Sequence, residues 1–167
     1  MVEWSQVQMV DGLKLRLVAS TSGIRAIDFD VSRPVAGERN DQNRLLAEAS
    51  EQLHAYFAGL LREFRLPLDM RGTDFQMCVW KHLLAIPYGD TRSYLNIAEA
   101  VGSPRAVRAV GAANGANPIP IVVPCHRVIG ASGKLTGYGG GLPLKKRLLM
   151  LEGAVAMPLA LHVRVPE

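Results

Sequence analysis

The chain has 167 residues, of which 49% are hydrophobic and 20% charged, with a formal net charge of +4. This balance excludes an intrinsically disordered chain. No apolar run is long enough to cross a bilayer, and the first residues lack the parts of a secretory signal, so we expect a cytoplasmic protein. Two cysteines, Cys78 and Cys125, are too few for a disulfide framework or a four-thiolate zinc site.

The charge is unevenly distributed along the chain. Residues 1–71 contain nine Lys and Arg against ten Asp and Glu, whereas residues 72–153 contain nine against four. A basic half joined to a nearly neutral half indicates a polyanionic partner such as nucleic acid. A solvated basic surface is the alternative, and charge alone leaves both open.

The first 71 residues have the pattern of a small α/β scaffold. Alternating apolar residues predict a strand around Leu13–Val18, and the turn-forming run Ser20–Gly23 separates it from a second strand over Ile24–Asp30, so a hairpin is expected. After a loop, apolar residues at helical spacing predict a helix over Asp41–Ala58. No chemically reactive motif occurs in this region.

Pro67 and Gly72 interrupt this pattern and predict a domain boundary before residue 72. Thr73, with Gln76 three residues later, matches a capping box and predicts the start of a helix. Cys78 lies on the apolar stripe of that helix, where a small buried side chain is the simplest interpretation.

Residues 93–113 have the pattern of two short helices. Ser93 is a suitable N-cap for the first, Gly102 ends it, and Ser103 with Pro104 predicts the start of the second. Two short helices joined by a turn of this length are typical of the helix-turn-helix DNA-binding unit, although plain helical corners have the same pattern.

The second of these helices is expected to bury Val107 and Val110, and it carries a single long side chain, Arg108, among small ones. The small residues are Ala106, Ala109, Gly111, Ala112 and Ala113. A helix that reads bases in the major groove needs long polar side chains. Small residues instead allow close approach to a sugar-phosphate backbone or a narrow groove, with Arg108 free to enter the base stack. Close helix–helix packing is the alternative.

Residues 117–128, Asn-Pro-Ile-Pro-Ile-Val-Val-Pro-Cys-His-Arg-Val, contain three prolines in an apolar run, which excludes a regular helix or a central strand. We expect a buried, stiff, extended segment that presents Cys125. A buried thiol is inert unless a base removes its proton, and His126 is the candidate base. Adjacent side chains rarely point the same way, so a bridging water is expected, with the Glu152 carboxylate behind the histidine. A chance Cys–His neighbour is the alternative.

Pro-Cys-His-Arg-Val at 124–128, preceded by Asn117-Pro118, resembles the signature of the O6-alkylguanine-DNA alkyltransferases, also called methylated-DNA–protein-cysteine methyltransferases. Further motifs resemble the family in order and spacing over residues 72–153, and the resemblance is weaker before them. They are Phe75-Gln76, Val79-Trp80, Ile86 to Gly89, Ser93-Tyr94, Ile97-Ala98, Arg105 to Gly111, Gly137-Tyr138 to Gly141, Lys145, Leu148-Leu149 and Glu152-Gly153.

The resemblance implies an α+β fold in two domains. Residues 1–71 would form a small ribonuclease-H-like strand and helix domain, and residues 72–153 a mostly helical domain with a winged helix-turn-helix; residues 154–167 are a tail without an assigned counterpart. The implied partner is double-stranded DNA carrying O6-alkylguanine, with no cofactor and no membrane. A monomer is expected, with cooperative binding on DNA left open. Some relatives bind zinc near the N-terminus, but residues 1–72 contain no cysteine and only His54, so we expect no metal.

By match to the family, Cys125 is the nucleophile that takes the alkyl group from O6 of guanine, and from O4 of thymine, once per molecule. His126 and Glu152 are implied to form a water-linked relay that generates the thiolate. Asn117 is implied to connect the helix-turn-helix to the segment that carries Cys125, residues 117–128, which we call the cysteine segment. Tyr94 is implied to crowd the phosphate of the flipped nucleotide and to donate a hydrogen bond to the purine.

The resemblance also implies a DNA interface and a guanine pocket. Arg108 is implied to fill the gap left by the flipped guanine. The other implied DNA-contacting residues are Ser93, Tyr94, Arg105, Ala106 and Gly111. The implied pocket residues are Pro120, Val128, Tyr138, Gly139 and Lys145. Gly139 stands where several relatives carry a larger or hydroxylated residue, and we hypothesise that the pocket is wider as a result.

Three other classes of protein are weighed against this one. An alkyltransferase-like protein that binds lesions without repairing them lacks the cysteine, so the presence of Cys125 argues against it. A regulator in which Cys125 only senses alkylation needs a transcription-control domain, for which we find no residues. A Cys–His hydrolase predicts turnover without DNA, which the basic half and Arg108 do not favour.

Overall fold

The computed structural model describes residues 1–155, so the expected tail lies almost wholly outside the described residues. A short 3₁₀ helix spans Cys125–Arg127. The other elements, in chain order, are β1 (Glu3–Gln8), β2 (Lys14–Ser20), β3 (Gly23–Asp28), β4 (Glu38–Arg39), α1 (Arg44–Phe57), α2 (Asp74–Leu84), β5 (Arg92–Ser93), α3 (Tyr94–Ala100), α4 (Val107–Gly115), β6 (Val128–Ile129) and α5 (Leu142–Leu151). Among the described residues, every helix is too short or too polar to cross a membrane.

The N-terminal part is a four-stranded sheet in the order β3-β2-β1-β4. β2 pairs antiparallel with β3, which confirms the predicted hairpin. β1, which was not predicted, pairs antiparallel with β2 and places Ser5 opposite Leu17. β4 lies in the segment expected to be a loop and pairs in parallel with β1.

α1 confirms the predicted first helix and begins three residues later than expected. The side chain of Asn43 caps it by accepting a hydrogen bond from the backbone N–H of Leu46. The helix packs on the sheet. Its buried residues are Leu46, Ala49, Leu53 and Tyr56.

The helices α2 to α5 form the C-terminal part, and α2 begins with the predicted capping box between Thr73 and Gln76. The indole N–H of Trp80 donates to the carbonyl of Ala113 at 2.8 Å and thereby joins α2 to α4. Cys78 is half-buried, whereas a small buried side chain was expected at this position. The combination of a small N-terminal sheet with a helical C-terminal part confirms the α+β fold class.

The start of α4 differs from the prediction. Ser103 does not cap the helix. Its carbonyl accepts a hydrogen bond from the N–H of Ala106, in a turn that precedes α4. α4 itself begins at Val107 and has no side-chain cap. Val110 is buried as predicted, whereas Val107 is 36% exposed. The prediction failed because a short turn satisfies the same Ser-Pro signals as a helical first turn.

One cluster of buried side chains runs through both halves, from Leu17 and Leu53 to Val79, Ile119 and Leu148. The division into domains at residue 72 therefore stays a prediction. A second sheet pairs β5 in parallel with β6 and joins the start of α3 to the end of the cysteine segment. The wing expected beside the helix-turn-helix also stays a prediction.

Candidate active site

The segment between α4 and the 3₁₀ helix turns back on itself, so the predicted extended conformation was wrong. Ile121 has φ +74°, in the left-handed region that a β-branched residue rarely adopts. Pro120 and Val123 form a parallel bridge across this turn. The Asn117 amide fixes the turn from inside, because its Nδ2 donates to the carbonyl of Val123 at 2.8 Å and its Oδ1 accepts from the N–H of Ile119 at 3.0 Å.

Cys125 is the first residue of the 3₁₀ helix and is only 5% exposed. Burial raises the pKa of its thiol. The side-chain amide of Asn117 and the positive charge of Lys145 act in the opposite direction without cancelling that effect. Cys125 therefore rests as a thiol and needs a base to become a nucleophile.

Glu152 is the C-cap residue of α5, and its carboxylate accepts hydrogen bonds from three buried side chains. The predicted contact with His126 is present, with 2.8 Å between Nε2 and Oε1. Arg127 donates from Nε to Oε2 and from Nη2 to Oε1, both at 2.9 Å. The Tyr56 hydroxyl donates to Oε1 at 2.7 Å. Burial alone would raise the pKa of Glu152, but the donors from His126 and Arg127 lower it to about 2.

The partner of Nε2 fixes the tautomer of His126. Because Glu152 is ionised, Nε2 carries the proton, an assignment that follows from the hydrogen bond. Nδ1 is then the lone-pair nitrogen, and it is buried without a hydrogen-bond partner among the described residues. Burial lowers the pKa of His126 and outweighs the opposite effect of Glu152, so the imidazole is neutral and Nδ1 is available as a base.

Cys125 opens into a cavity of about 530 Å³ that both halves of the protein line. The C-terminal residues that line it are Tyr94, Gly111, Asn114, Gly115, Asn117, Pro120, Cys125, Thr136, Gly137, Tyr138 and Gly139. The N-terminal residues are Ile27, Asp28, Phe29, Asp30 and Arg33. No sequence pattern predicts these N-terminal lining residues, because only the tertiary fold brings β3 to the cavity.

Two tyrosines that the sequence singled out lie on this cavity. The Tyr94 hydroxyl is 3.0 Å from the Thr136 hydroxyl. The Tyr138 hydroxyl is buried without a partner among the described residues, and burial raises its pKa well above the usual value. Both hydroxyls lie on the cavity that holds the thiol, and a tyrosine hydroxyl can donate a hydrogen bond to a bound group.

Val128 and Lys145, also expected in the pocket, are fully buried and are not among the residues that line the cavity. The Lys145 ammonium donates to the carbonyls of Val128 and Thr136, both at 2.7 Å. It therefore joins the cysteine segment to the loop that carries Tyr138.

The residues expected to contact DNA lie around α3 and α4. Ser93 caps α3 in a capping box, and Ala106 is the N-cap residue of α4. Arg105 and Arg108 are exposed, at the turn before α4 and in its first turn. Gly111 is half-buried on α4, and a Cβ there would meet only the Tyr94 ring, at 4.0 Å.

Comparison with known proteins identifies the family. The family model described as 6-O-methylguanine DNA methyltransferase, DNA binding domain, matches residues 74–154. The family model described as 6-O-methylguanine DNA methyltransferase, ribonuclease-like domain, matches residues 14–70. A methylated-DNA–protein-cysteine methyltransferase from Methanosarcina barkeri is 49% identical over 139 residues, which cover 81% of this chain and 88% of the relative. The chain belongs to this methyltransferase family.

Two mycobacterial proteins extend the comparison. The methylated-DNA–protein-cysteine methyltransferase of Mycobacterium tuberculosis H37Rv is 69% identical over 104 residues, which span 62% of this chain and 63% of the relative's own length. The crystal structure of Mycobacterium tuberculosis OGT in complex with DNA has a TM-score of 0.84 and 51% sequence identity, and the match covers 91% of this chain and 93% of that one. The family fold therefore extends over nearly the whole described chain.

Proposed function

We propose that this methyltransferase-family protein repairs DNA by direct reversal. It takes the alkyl group from O6 of guanine, and from O4 of thymine, onto Cys125 in a single irreversible turnover. The observation that carries the proposal is a buried thiol at a cavity of about 530 Å³, next to a neutral histidine whose Nδ1 has no partner in the described part of the chain. The names of the relatives support the same chemistry. We also infer that the protein acts as a cytoplasmic monomer without a cofactor.

The proposed step begins with the transfer of the Cys125 proton to Nδ1 of His126 through a water. Glu152 stabilises the imidazolium that forms, because its carboxylate is 2.8 Å from Nε2. The thiolate then attacks the alkyl carbon, the carbon–sulfur bond forms, and the carbon–O6 bond breaks. Its electron pair stays on the guanine, which takes up one proton from water as it leaves, while His126 releases the thiol proton to water and becomes neutral again. The thioether has no route back, so each molecule acts once.

Stabilisation of the leaving base is assigned to tyrosine hydroxyls on the cavity. Displacement at an unactivated carbon requires that the charge on the departing oxygen be neutralised as it develops. Tyr94 and Tyr138 both line the cavity that holds Cys125. We propose that Tyr94 donates to the purine and that Pro120 and Gly139 bound the base.

DNA engagement is assigned to α3 and α4. The small residues of α4 allow it to lie close to the minor groove, and Arg108 is exposed where it can replace a flipped base. Arg105 and Ser93 would contact the backbone. The complex of the Mycobacterium tuberculosis relative with DNA supports DNA as the partner.

The test is intact-protein and peptide mass spectrometry after incubation with a duplex that contains one O6-methylguanine. We expect the mass of a single added methyl, located on Cys125 and lost in Cys125→Ala. Cys78→Ala is the matched control, because Cys78 lies outside the cavity, and it should be methylated as the unsubstituted protein is. Binding of the duplex without any gain in mass would refute repair and favour lesion sensing.

A further inference from the structure

The N-terminal sheet supplies one wall of the active-site cavity. The backbone N–H of Ile27, near the end of β3, donates to the carbonyl of Pro118 in the cysteine segment at 2.9 Å. This bond places the residues that follow β3 directly on the cavity, where Asp28 and Phe29 are among the lining residues. We call residues 28–33 the N-terminal wall.

A buried arginine holds the N-terminal wall in place. Arg16 is only 3% exposed, and its Nε donates to Asp28 Oδ2 at 3.0 Å. Its Nη1 donates to the carbonyls of Val31 at 3.3 Å and Arg33 at 2.6 Å. A guanidinium that binds one carboxylate and two carbonyls fixes a segment in a defined position. The wall is therefore a preorganised surface rather than a loose loop.

Phe29 is the large apolar side chain of this wall. Its ring lies 5.6 Å from the Tyr138 ring, centroid to centroid, at an interplanar angle of 58°. A Cβ at Gly139 would lie 3.9 Å from the Phe29 ring, and one at Gly140 would lie 3.2 Å from it. Phe29 thus packs against the loop on the opposite side and closes the cavity between the two halves.

We propose that Phe29 sets the largest alkyl group that the cavity admits. This inference rests on the proposed alkyl transfer to Cys125. The reacting carbon must lie about 3–3.5 Å from the sulfur. A methyl group ends there, whereas the ring of a benzyl group needs more of the cavity that Tyr138 and Phe29 also line. The N-terminal part of the chain therefore has a role in substrate selection that its sequence pattern did not indicate.

The test compares single-turnover rates on two duplexes, one with O6-methylguanine and one with O6-benzylguanine. In Phe29→Ala, we expect the benzyl-to-methyl rate ratio to rise at least about tenfold, since a change in the size of an apolar pocket alters discrimination by about 10-fold or more. Phe75→Ala is the matched control: Phe75 is also half-buried but does not line the cavity, so its ratio should stay unchanged.

The variant Phe29→Trp places a larger side chain in the wall and should lower the benzyl-to-methyl rate ratio. It gives a second readout if Phe29→Ala folds poorly. An equal loss of both rates in Phe29→Ala, with no change of ratio in Phe29→Trp, would mean that Phe29 only supports Tyr138 and would overturn the inference. An unsubstituted protein that accepts neither alkyl group would overturn the proposed function itself, so the two failures are distinguishable.

Discussion

Tyr56 connects the N-terminal helix α1 to the proposed relay through a single hydrogen bond. Its hydroxyl is fully buried and donates to Glu152 Oε1 at 2.7 Å. The substitution Tyr56→Phe removes that donor and keeps the ring. A hydrogen bond to a charged group contributes about 1.5–3 kcal/mol, so we expect a loss of about 2 kcal/mol in the free energy of unfolding at pH 7. For a chain of this size that corresponds to a fall in Tm of about 4–8 °C.

The loss should depend on pH in a defined direction. The pKa of Glu152 is lowered from 4.5 to about 2 in the folded protein. A lowered folded pKa contributes stability that is fully present above the unfolded value and is lost as the pH falls towards the folded value. At about 1.4 kcal/mol per pKa unit, the contribution of Glu152 is about 3 kcal/mol. Without the Tyr56 donor the folded pKa is higher and this contribution is smaller, so the two proteins should become more equal in stability as the pH falls from 5 towards 2.

Urea unfolding, followed by fluorescence at pH 7, 5 and 3, measures both effects. Tyr88→Phe is the control, because the Tyr88 hydroxyl donates to the carbonyl of Leu151, a neutral acceptor, at 3.2 Å. That variant should lose about 1 kcal/mol at every pH. A loss in Tyr56→Phe below about 0.5 kcal/mol, or one that is equal at pH 7 and pH 3, would refute the assignment of Tyr56 as a donor to an ionised carboxylate.

Four further substitutions test the site. Gly140→Ala should lower the free energy of unfolding by about 1–2 kcal/mol, measured by thermal unfolding, because the added Cβ would lie 2.6 Å from the Leu144 side chain. In Gly139→Ala the nearest contact of the added Cβ is at 3.9 Å, so the free energy of unfolding should change by less than about 0.5 kcal/mol. Tyr138→Phe removes a buried hydroxyl that has no hydrogen-bond partner within residues 1–155, so the free energy of unfolding should stay equal or rise by up to about 1 kcal/mol; a clear loss would reveal a bond that the described residues do not show. Glu152→Gln leaves the buried Arg127 guanidinium without its carboxylate, so we expect about 3–5 kcal/mol of destabilisation in urea and an alkyl-transfer rate at least about 100-fold lower in a quenched single-turnover assay.

The sequence predicted those elements whose own pattern determines them. The β2–β3 hairpin and α1 have apolar residues at the spacing of a strand and a helix, and the capping box at Thr73 is a local signal. β1 has no such signal, since Ser5 is its only buried residue and its conformation depends on pairing with β2. The start of α4 was misplaced because Ser103 and Pro104 fit a turn as well as a helix.

The candidate site was predictable only where its residues are close in sequence or belong to a motif. Cys125 and His126 are adjacent, and Glu152 ends the next helix, so the contact between His126 and Glu152 was found. Tyr56 and Phe29 lie 96 and 109 positions before their partners Glu152 and Tyr138 and carry no local mark of that contact. Such contacts arise when the sheet and α1 pack against the C-terminal part. A local sequence pattern carries no information about that packing.

The extra donors to Glu152 explain how His126 can act as a base. A buried histidine beside an unshared carboxylate would hold its proton, because the negative charge stabilises the imidazolium. Arg127 and Tyr56 share the charge of Glu152, and the charge of Arg127 itself lowers the pKa of His126. The carboxylate therefore orients the ring without protonating it in advance. When the thiol proton arrives at Nδ1, the same carboxylate stabilises the charge that forms, so the network keeps the thiol and the imidazole neutral until the substrate is in place.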